Sequence, residues 1–173
     1  MSANHEEAIR VAAFELTRVF EAPPERVWQA WSEADQLKHW WGPKGCSIEI
    51  PRFEFRPGGF FHYAMSFADA PAPWWGRFNF REIVAGERIV WLNSFSNPGC
   101  GIARAPFSER CPLEIENVVT FSAQAGRTTV TLRATPFGEL PDEGRYFDDL
   151  RPSLEQGYGG TFEQLEAHLA RRG

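Results

Sequence analysis

An α+β fold, in which an antiparallel sheet curls around one long C-terminal helix, is predicted by three features of the chain. Apolar residues alternate with a period of two in short runs from residue 47 onward, separated by turns rich in Gly and Pro. One earlier run of the same kind is set apart from these by two short helical patterns. The tail then carries an apolar stripe at spacings of three and four. Strands in succession followed by a single helix favour segregated layers over alternating βαβ units.

The elements follow in order. Residues 14–20 read as a strand with Phe14, Leu16 and Phe20 on one side, and Arg18 is the polar exception on that side. Pro23-Pro24-Glu25 starts a helix, because proline suits the first turn and Glu25 complements the positive end of the dipole. Val27, Ala30 and Trp31 share its apolar face. Ser32-Glu33-Ala34-Asp35 has the pattern of a capping box for a second short helix that buries Leu37, Trp40 and Trp41. Gly42-Pro43 ends it. Strands at 47–55 and 60–67 flank the Pro57-Gly58-Gly59 turn, which reads as a hairpin or bulged corner, and strands at 77–84 and 88–95 flank Ala85-Gly86-Glu87. Residues 96–112 form a long loop, of a length that suggests a lid or mouth. A last hairpin, 114–123 and 128–135, turns at Gly126. Residues 142–171 are helical, with Phe147, Leu150, Leu154, Tyr158, Phe162, Leu165 and Leu169 on the stripe. Gly157-Tyr158-Gly159-Gly160 lies within that helix and follows no strand, so it is no phosphate loop; close packing or a helix bend is expected there.

At 173 residues, with 43% hydrophobic, the chain is expected to form one domain over 1–173 with its core at about 12–171. Seven Trp and fifteen Phe supply large surfaces that can fill a core or wall an apolar pocket. A net charge of −5 without a basic run disfavours a nucleic-acid partner. Arg171 and Arg172 read as favourable charges at a helix C-terminus. Residues 1–10 lack the basic and apolar regions of a secretory signal, and no apolar run reaches the roughly 20 residues that span a bilayer; a cytoplasmic protein without a membrane span is expected. Cys46, Cys100 and Cys111 have no metal spacing and are expected to be reduced, although Cys100 and Cys111 are placed to pair across the loop.

Catalytic motifs are sparse. His5, His39, His62 and His168 are scattered, no nucleophile elbow occurs, and neither a metal nor a cofactor is predicted. Asp148 and Asp149, about 100° apart on a helix, suit a solvated face. Cys100, between Gly99 and Gly101, reads as an ordinary cysteine for want of an activating base. Arg56 is expected to anchor its corner, with Glu54 as a partner, rather than a ligand. Trp74-Trp75 follows a Pro-rich stretch and reads as a loop pair that folds back on the core, or else offers a contact surface. Alternation groups Phe61, Tyr63 and Met65 on one strand face against Phe60, His62 and Ala64 on the other, and likewise groups Phe78 with Phe80, and Trp91 with Asn93 and Phe95.

In this order, Arg18-Val19-Phe20-Glu21-Ala22-Pro23, Val27-Trp28 with Ala30-Trp31, Trp40-Trp41-Gly42-Pro43, Arg56 with Gly58-Gly59, Glu87-Arg88-Ile89-Val90 and Gln156-Gly157-Tyr158 resemble the START-like (SRPBCC, helix-grip) superfamily. The closer resemblance is to the branch similar to the activator of the heat-shock-protein-ninety ATPase, and it runs from about Phe14 to Leu169. It implies a sheet gripping the last helix and a cavity between them. The implied pocket residues are Trp41, Phe61, Tyr63, Met65, Phe78, Phe80, Trp91, Asn93, Phe95 and Tyr158. The alternative is that these aromatics simply fill the core. Tyr158 followed by Gly159-Gly160 stands where Trp is usual, which implies extra room or a bend. Relatives include binders of lipids, polyketides and other hydrophobic molecules, enzymes, and proteins with protein partners, and fold alone does not choose among them. The expected function is therefore binding of a small hydrophobic or aromatic molecule by a monomer or homodimer. The alternatives are a polyketide cyclase- or hydrolase-type enzyme using Tyr63, Asn93 or His62, and a co-chaperone-like interaction module, although no counterpart of the eukaryotic activator's chaperone-binding module is expected in these residues.

Overall fold

The computed structural model describes residues 13–105, 111–137 and 141–172; His5, residues 106–110 of the long loop and the side chain of Arg172 lie outside the described residues. In chain order the elements are β1 (Phe14–Phe20), α1 (Pro24–Ser32), α2 (Ala34–Trp40), β2 (Cys46–Phe53), β3 (Phe60–Phe67), β4 (Trp74–Val84), β5 (Arg88–Ser96), β6 (Ile102–Ala103), β7 (Glu114–Gln124), β8 (Arg127–Phe137), α3 (Pro141–Asp149) and α4 (Arg151–Arg172). The strands form a curved, open antiparallel sheet in the order β1-β8-β7-β5-β4-β3-β2, and the two-residue β6 pairs with the end of β5. This is the α+β arrangement that the alternation and the final stripe predict.

Register places the apolar residues of successive strands side by side on the face that α4 covers. One rung runs Phe14, Ala134, Asn117, Trp91 and Phe80; the next runs Pro136, Ile115, Asn93, Phe78, Phe61 and Phe53. Because side chains alternate across a strand, these cross-strand pairs share one face and pack as a layer. Val27, Ala30 and Trp31 of α1 and Leu37 and Trp40 of α2 close on that layer and are buried. Phe147, Phe162, Leu165 and Leu169 complete the core from the helical tail.

Some local expectations are corrected and others hold. The capping box does not form: Ser32 ends α1, and Glu33 is the N-cap of α2, with no side-chain bond to the helix backbone. Gln36 Nε2 instead donates to Glu33 Oε1 at 3.1 Å. The helical tail is two helices, because Pro152 has no N–H to continue α3 and its ring suits the first turn of α4. Trp74 and Trp75 are the opening residues of β4, not a loop pair. The Pro57-Gly58-Gly59 turn is a corner that docks on β4: Gly58 N–H donates to Phe80 O (2.8 Å) and Phe80 N–H to Gly59 O (3.0 Å). A β-carbon at Gly59 would collide with the Glu54 carbonyl, so only glycine fits. Arg56 pairs with Glu54 at 3.8 Å, as expected of an anchor.

The first part of the long loop covers the outer face of the sheet. His62 Nε2 lies 2.9 Å from Asn97 O, and its ring stacks on Trp75 at 4.9 Å. Arg77 donates to Cys100 O and stacks on Phe60 at 4.2 Å. The expected lid therefore lies, over residues 97–101, against the opposite side of the sheet from α4. None of the three cysteines is in a disulfide, so the Cys100–Cys111 pairing is not formed.

Candidate functional site

The corner after α2 sets one wall of a cavity. Trp41 N–H closes the helix on Leu37 O (2.9 Å), and Gly42 then adopts φ +99°, where a β-carbon would press on Cys46 Sγ at 2.9 Å. That left-handed residue turns the chain so that the two tryptophans part. Trp40 is buried, with Nε1 donating to Ala30 O at 2.9 Å, while Trp41 faces α4. Two α4 side chains hold the corner: Thr161 Oγ1 donates to Gly42 O at 3.1 Å, and Gln164 Nε2 donates to the same oxygen.

Between this corner, the sheet and the first half of α4 lies a cavity of about 620 Å³. The sheet contributes Tyr63, Met65, Asn93, Phe95 and Ile115, the turn between α3 and α4 contributes Leu150, and α4 contributes Leu154 and Tyr158. Trp74, Phe67 and Asp69 stand at its mouth, with Trp74 37% exposed. Asp69 is the one charged residue among the described lining residues. The tail stripe thus divides by depth: Leu150, Leu154 and Tyr158 border the cavity, and Phe162, Leu165 and Leu169 are buried beyond it.

Tyr63 lies across its neighbour strand at Gly76, its register partner; a β-carbon there would collide with the Tyr63 ring carbon Cζ and the hydroxyl. Burial pushes the Tyr63 phenol up from 10.0 to about 12, and the Trp41 indole N–H offsets part of this without reaching hydrogen-bond geometry. The Tyr158 phenol is raised further, by burial first and then by the nearby Tyr63. Its hydroxyl donates to Asn117 Oδ1 at 3.0 Å, and Asn117 Nδ2 donates to Ile115 O at 3.1 Å. Asn93 Oδ1 and Trp41 Nε1 are buried with no hydrogen-bond partner among the described residues.

Six of the residues singled out from sequence, Trp41, Tyr63, Met65, Asn93, Phe95 and Tyr158, border this cavity. Phe61, Phe78, Phe80 and Trp91 do not; they form a packed layer beneath it. Phe78 stacks on Trp91 (4.5 Å between centroids), and Phe61 and Trp41 meet Phe78 edge-on at 4.9 and 5.0 Å. His62 points away, on the outer face. Sequence reasoning missed Trp74, whose parity with Gly76 and Phe78 was the available signal, and Cys111, for which there was none. The helix leucines were on the stripe, but nothing local distinguishes a cavity wall from core.

A second, more polar groove of about 710 Å³ runs along the other side of α4, past Leu16, Arg18, Lys44, Gln156, Gly159 and Glu163. Arg18 Nη1 reaches Gly159 O at 3.5 Å, and Lys44 pairs with Glu163, whose carboxyl is held below its usual range by that ammonium. Gly157 borders both spaces, and β-carbons at Gly157, Gly159 and Gly160 would meet nothing within 4 Å. These glycines leave room beside the helix, so the expected close packing at them is absent. Among the described residues no cluster of His, Cys, Asp and Glu is placed to hold a metal, and no helix is long and apolar enough to cross a membrane.

Comparison with known proteins agrees with this architecture. The family model described as activator of Hsp90 ATPase homolog 1-like protein matches residues 21–170. A solution structure of a protein from Arthrobacter aurescens is similar over 95% of this chain and 88% of that one, at 25% identity and a TM-score of 0.77. Protein Ms6760 from Mycobacterium smegmatis is 22% identical over 92% of this chain and 91% of its own, with a TM-score of 0.73. DynU16, described as a protein in the dynemicin biosynthetic locus, is 17% identical with a TM-score of 0.60, over 93% of this chain and 48% of that one. No curated protein matches the chain.

Proposed function

The chain belongs to the activator of Hsp90 ATPase homolog 1-like family, within the SRPBCC (helix-grip) superfamily, and we propose that it binds a small hydrophobic or aromatic molecule between the sheet and α4. The cavity of about 620 Å³ carries this reading. Its volume falls within the roughly 300–1,000 Å³ of small-molecule sites, and its walls are apolar with a few convergent polar atoms. Trp41, Tyr63, Met65, Asn93, Phe95 and Tyr158 contact the ligand in this reading, while Phe61, Phe78, Phe80 and Trp91 give the floor its rigidity.

Binding is favoured over acid–base turnover by the chemistry of the lining. No imidazole borders the cavity among the described residues. Phenols with raised pKa keep their protons at neutral pH, so Tyr63 and Tyr158 donate hydrogen bonds rather than abstract protons. A cyclase- or hydrolase-type reaction would have the Asp69 carboxylate at the mouth as its only charged base among the described lining residues. The DynU16 likeness, at 17% identity, speaks to fold and does not alter this ranking.

The test is a neutral fluorescent probe, N-phenyl-1-naphthylamine, with wild type and Leu154→Trp. Leu154 borders the cavity from α4, so the larger side chain fills the space from the helix side. Wild type is expected to bind the probe and the variant to lose at least tenfold in affinity at an unchanged melting temperature, since one buried side chain removes the probe's apolar contacts. Absence of binding to wild type, or equal binding by both, contradicts the reading.

A further inference from the structure

We infer that the cavity is built for an uncharged aromatic molecule that carries a hydroxyl or N–H group, which Asn93 Oδ1 accepts deep in the pocket; this rests on the binding reading above. Asn93 sits in β5 between Phe78 of β4 and Ile115 of β7, its register partners, and neither has a side-chain donor. Asn93 borders the cavity, and its carbonyl oxygen is buried with no partner among the described residues. A buried acceptor left unpaired is costly, and a ligand donor relieves that cost. The Trp41 indole N–H, on another residue that borders the cavity, also lacks a partner among the described residues and is suited to donate to the same ligand oxygen or to a carbonyl nearby.

The rest of the lining sets the charge and shape of the occupant. No Lys, Arg or His borders the cavity among the described residues, and the one charge, Asp69 at the rim, is negative. An anion would be desolvated there without a counter-ion, beside two phenols that are themselves neutral. Trp41, Tyr63, Phe95, Trp74 and Tyr158 present aromatic faces and edges on several sides, the arrangement that stabilises a ring between them. A volume of about 620 Å³ accommodates a fused two- or three-ring body.

The experiment compares three probes of one shape, naphthalene, 2-naphthol and 2-naphthoate, by calorimetric titration at neutral pH with wild type and Asn93→Leu. Transfer from water alone favours naphthalene over 2-naphthol, so a preference for the naphthol reports a hydrogen bond rather than hydrophobicity. Wild type is expected to bind 2-naphthol roughly tenfold more tightly than naphthalene, and 2-naphthoate least. Asn93→Leu removes an unpaired polar atom, so it should fold at least as stably and lose the naphthol preference. Equal binding of naphthol and naphthalene by wild type, a preference that survives in Asn93→Leu, or tightest binding of 2-naphthoate overturns the inference and leaves the cavity reading standing. Failure of all three probes and of N-phenyl-1-naphthylamine overturns both.

Discussion

Tyr63 shows how one side chain couples the fold to the cavity. Its ring crosses Gly76 and packs against Trp41, Phe61 and Phe78 at 4.8–6.2 Å, so the hydroxyl is carried into the pocket by contacts that belong to the core. The cost of that placement is visible in its titration. The folded protein prefers the neutral phenol, which raises the pKa from 10.0 to about 12. The unfolded chain ionises first as pH rises, so it binds fewer protons than the native state between these values. Stability from this group is therefore complete below pH 10 and declines as pH climbs toward 12, by at most about 1.4 kcal/mol per pH unit for each such phenol. Tyr158, raised in the same sense, adds to the slope. Urea denaturation from pH 9 to 11.5 should show this decline in wild type and a shallower one in Tyr63→Phe. Identical slopes would mean that the phenol is solvated in the native state.

At the level of elements, α4 is the least ordinary part of the molecule, a 22-residue helix with three glycines in its first half and open space beside each. They are helical rather than left-handed, so nothing in their conformation requires glycine. Replacing Gly159 by Ala should raise stability by about 0.5–1 kcal/mol through the backbone entropy that glycine loses on folding, as a shift in urea midpoint at constant m-value would record. A loss of stability would reveal a contact at this face. The helix also marks the boundary of what local sequence conveys. Its stripe was legible because Phe147 to Leu169 keep one period, and the strands were legible because alternation and glycine turns agree. The break before Pro152 was hidden because the stripe runs straight across it, and the first strand residues of β4 were hidden behind Pro71 and Pro73. Ser32 carried a capping signal that lost to one more residue of α1.

Across the whole molecule, parity assigns a residue to a face but not to a depth, and depth separates floor from wall. Phe78 and Asn93 are register partners on the same face, yet Phe78 is pressed between Trp41 and Trp91 while Asn93 borders open space. The difference comes from which distant elements arrive above each: α1 and the Trp41 corner seal the one, and the glycine-bearing half of α4 leaves room over the other. Four of the ten residues singled out from sequence fall below the cavity for this reason, since no local pattern records where a helix more than fifty residues away will pack. The division predicts opposite phenotypes for two aromatic truncations. Phe78→Ala removes a ring from a fully packed layer and should cost about 3–5 kcal/mol. Trp74→Ala, at the partly exposed mouth, should cost far less than Phe78→Ala while the probe dissociates several-fold faster, because the Trp74 ring meets Phe95 at the mouth rather than the packed floor. Stopped-flow release of N-phenyl-1-naphthylamine, read beside urea midpoints, separates the two. A Trp74 variant as unstable as the Phe78 one would place that ring in the core and leave the mouth to be formed by other residues.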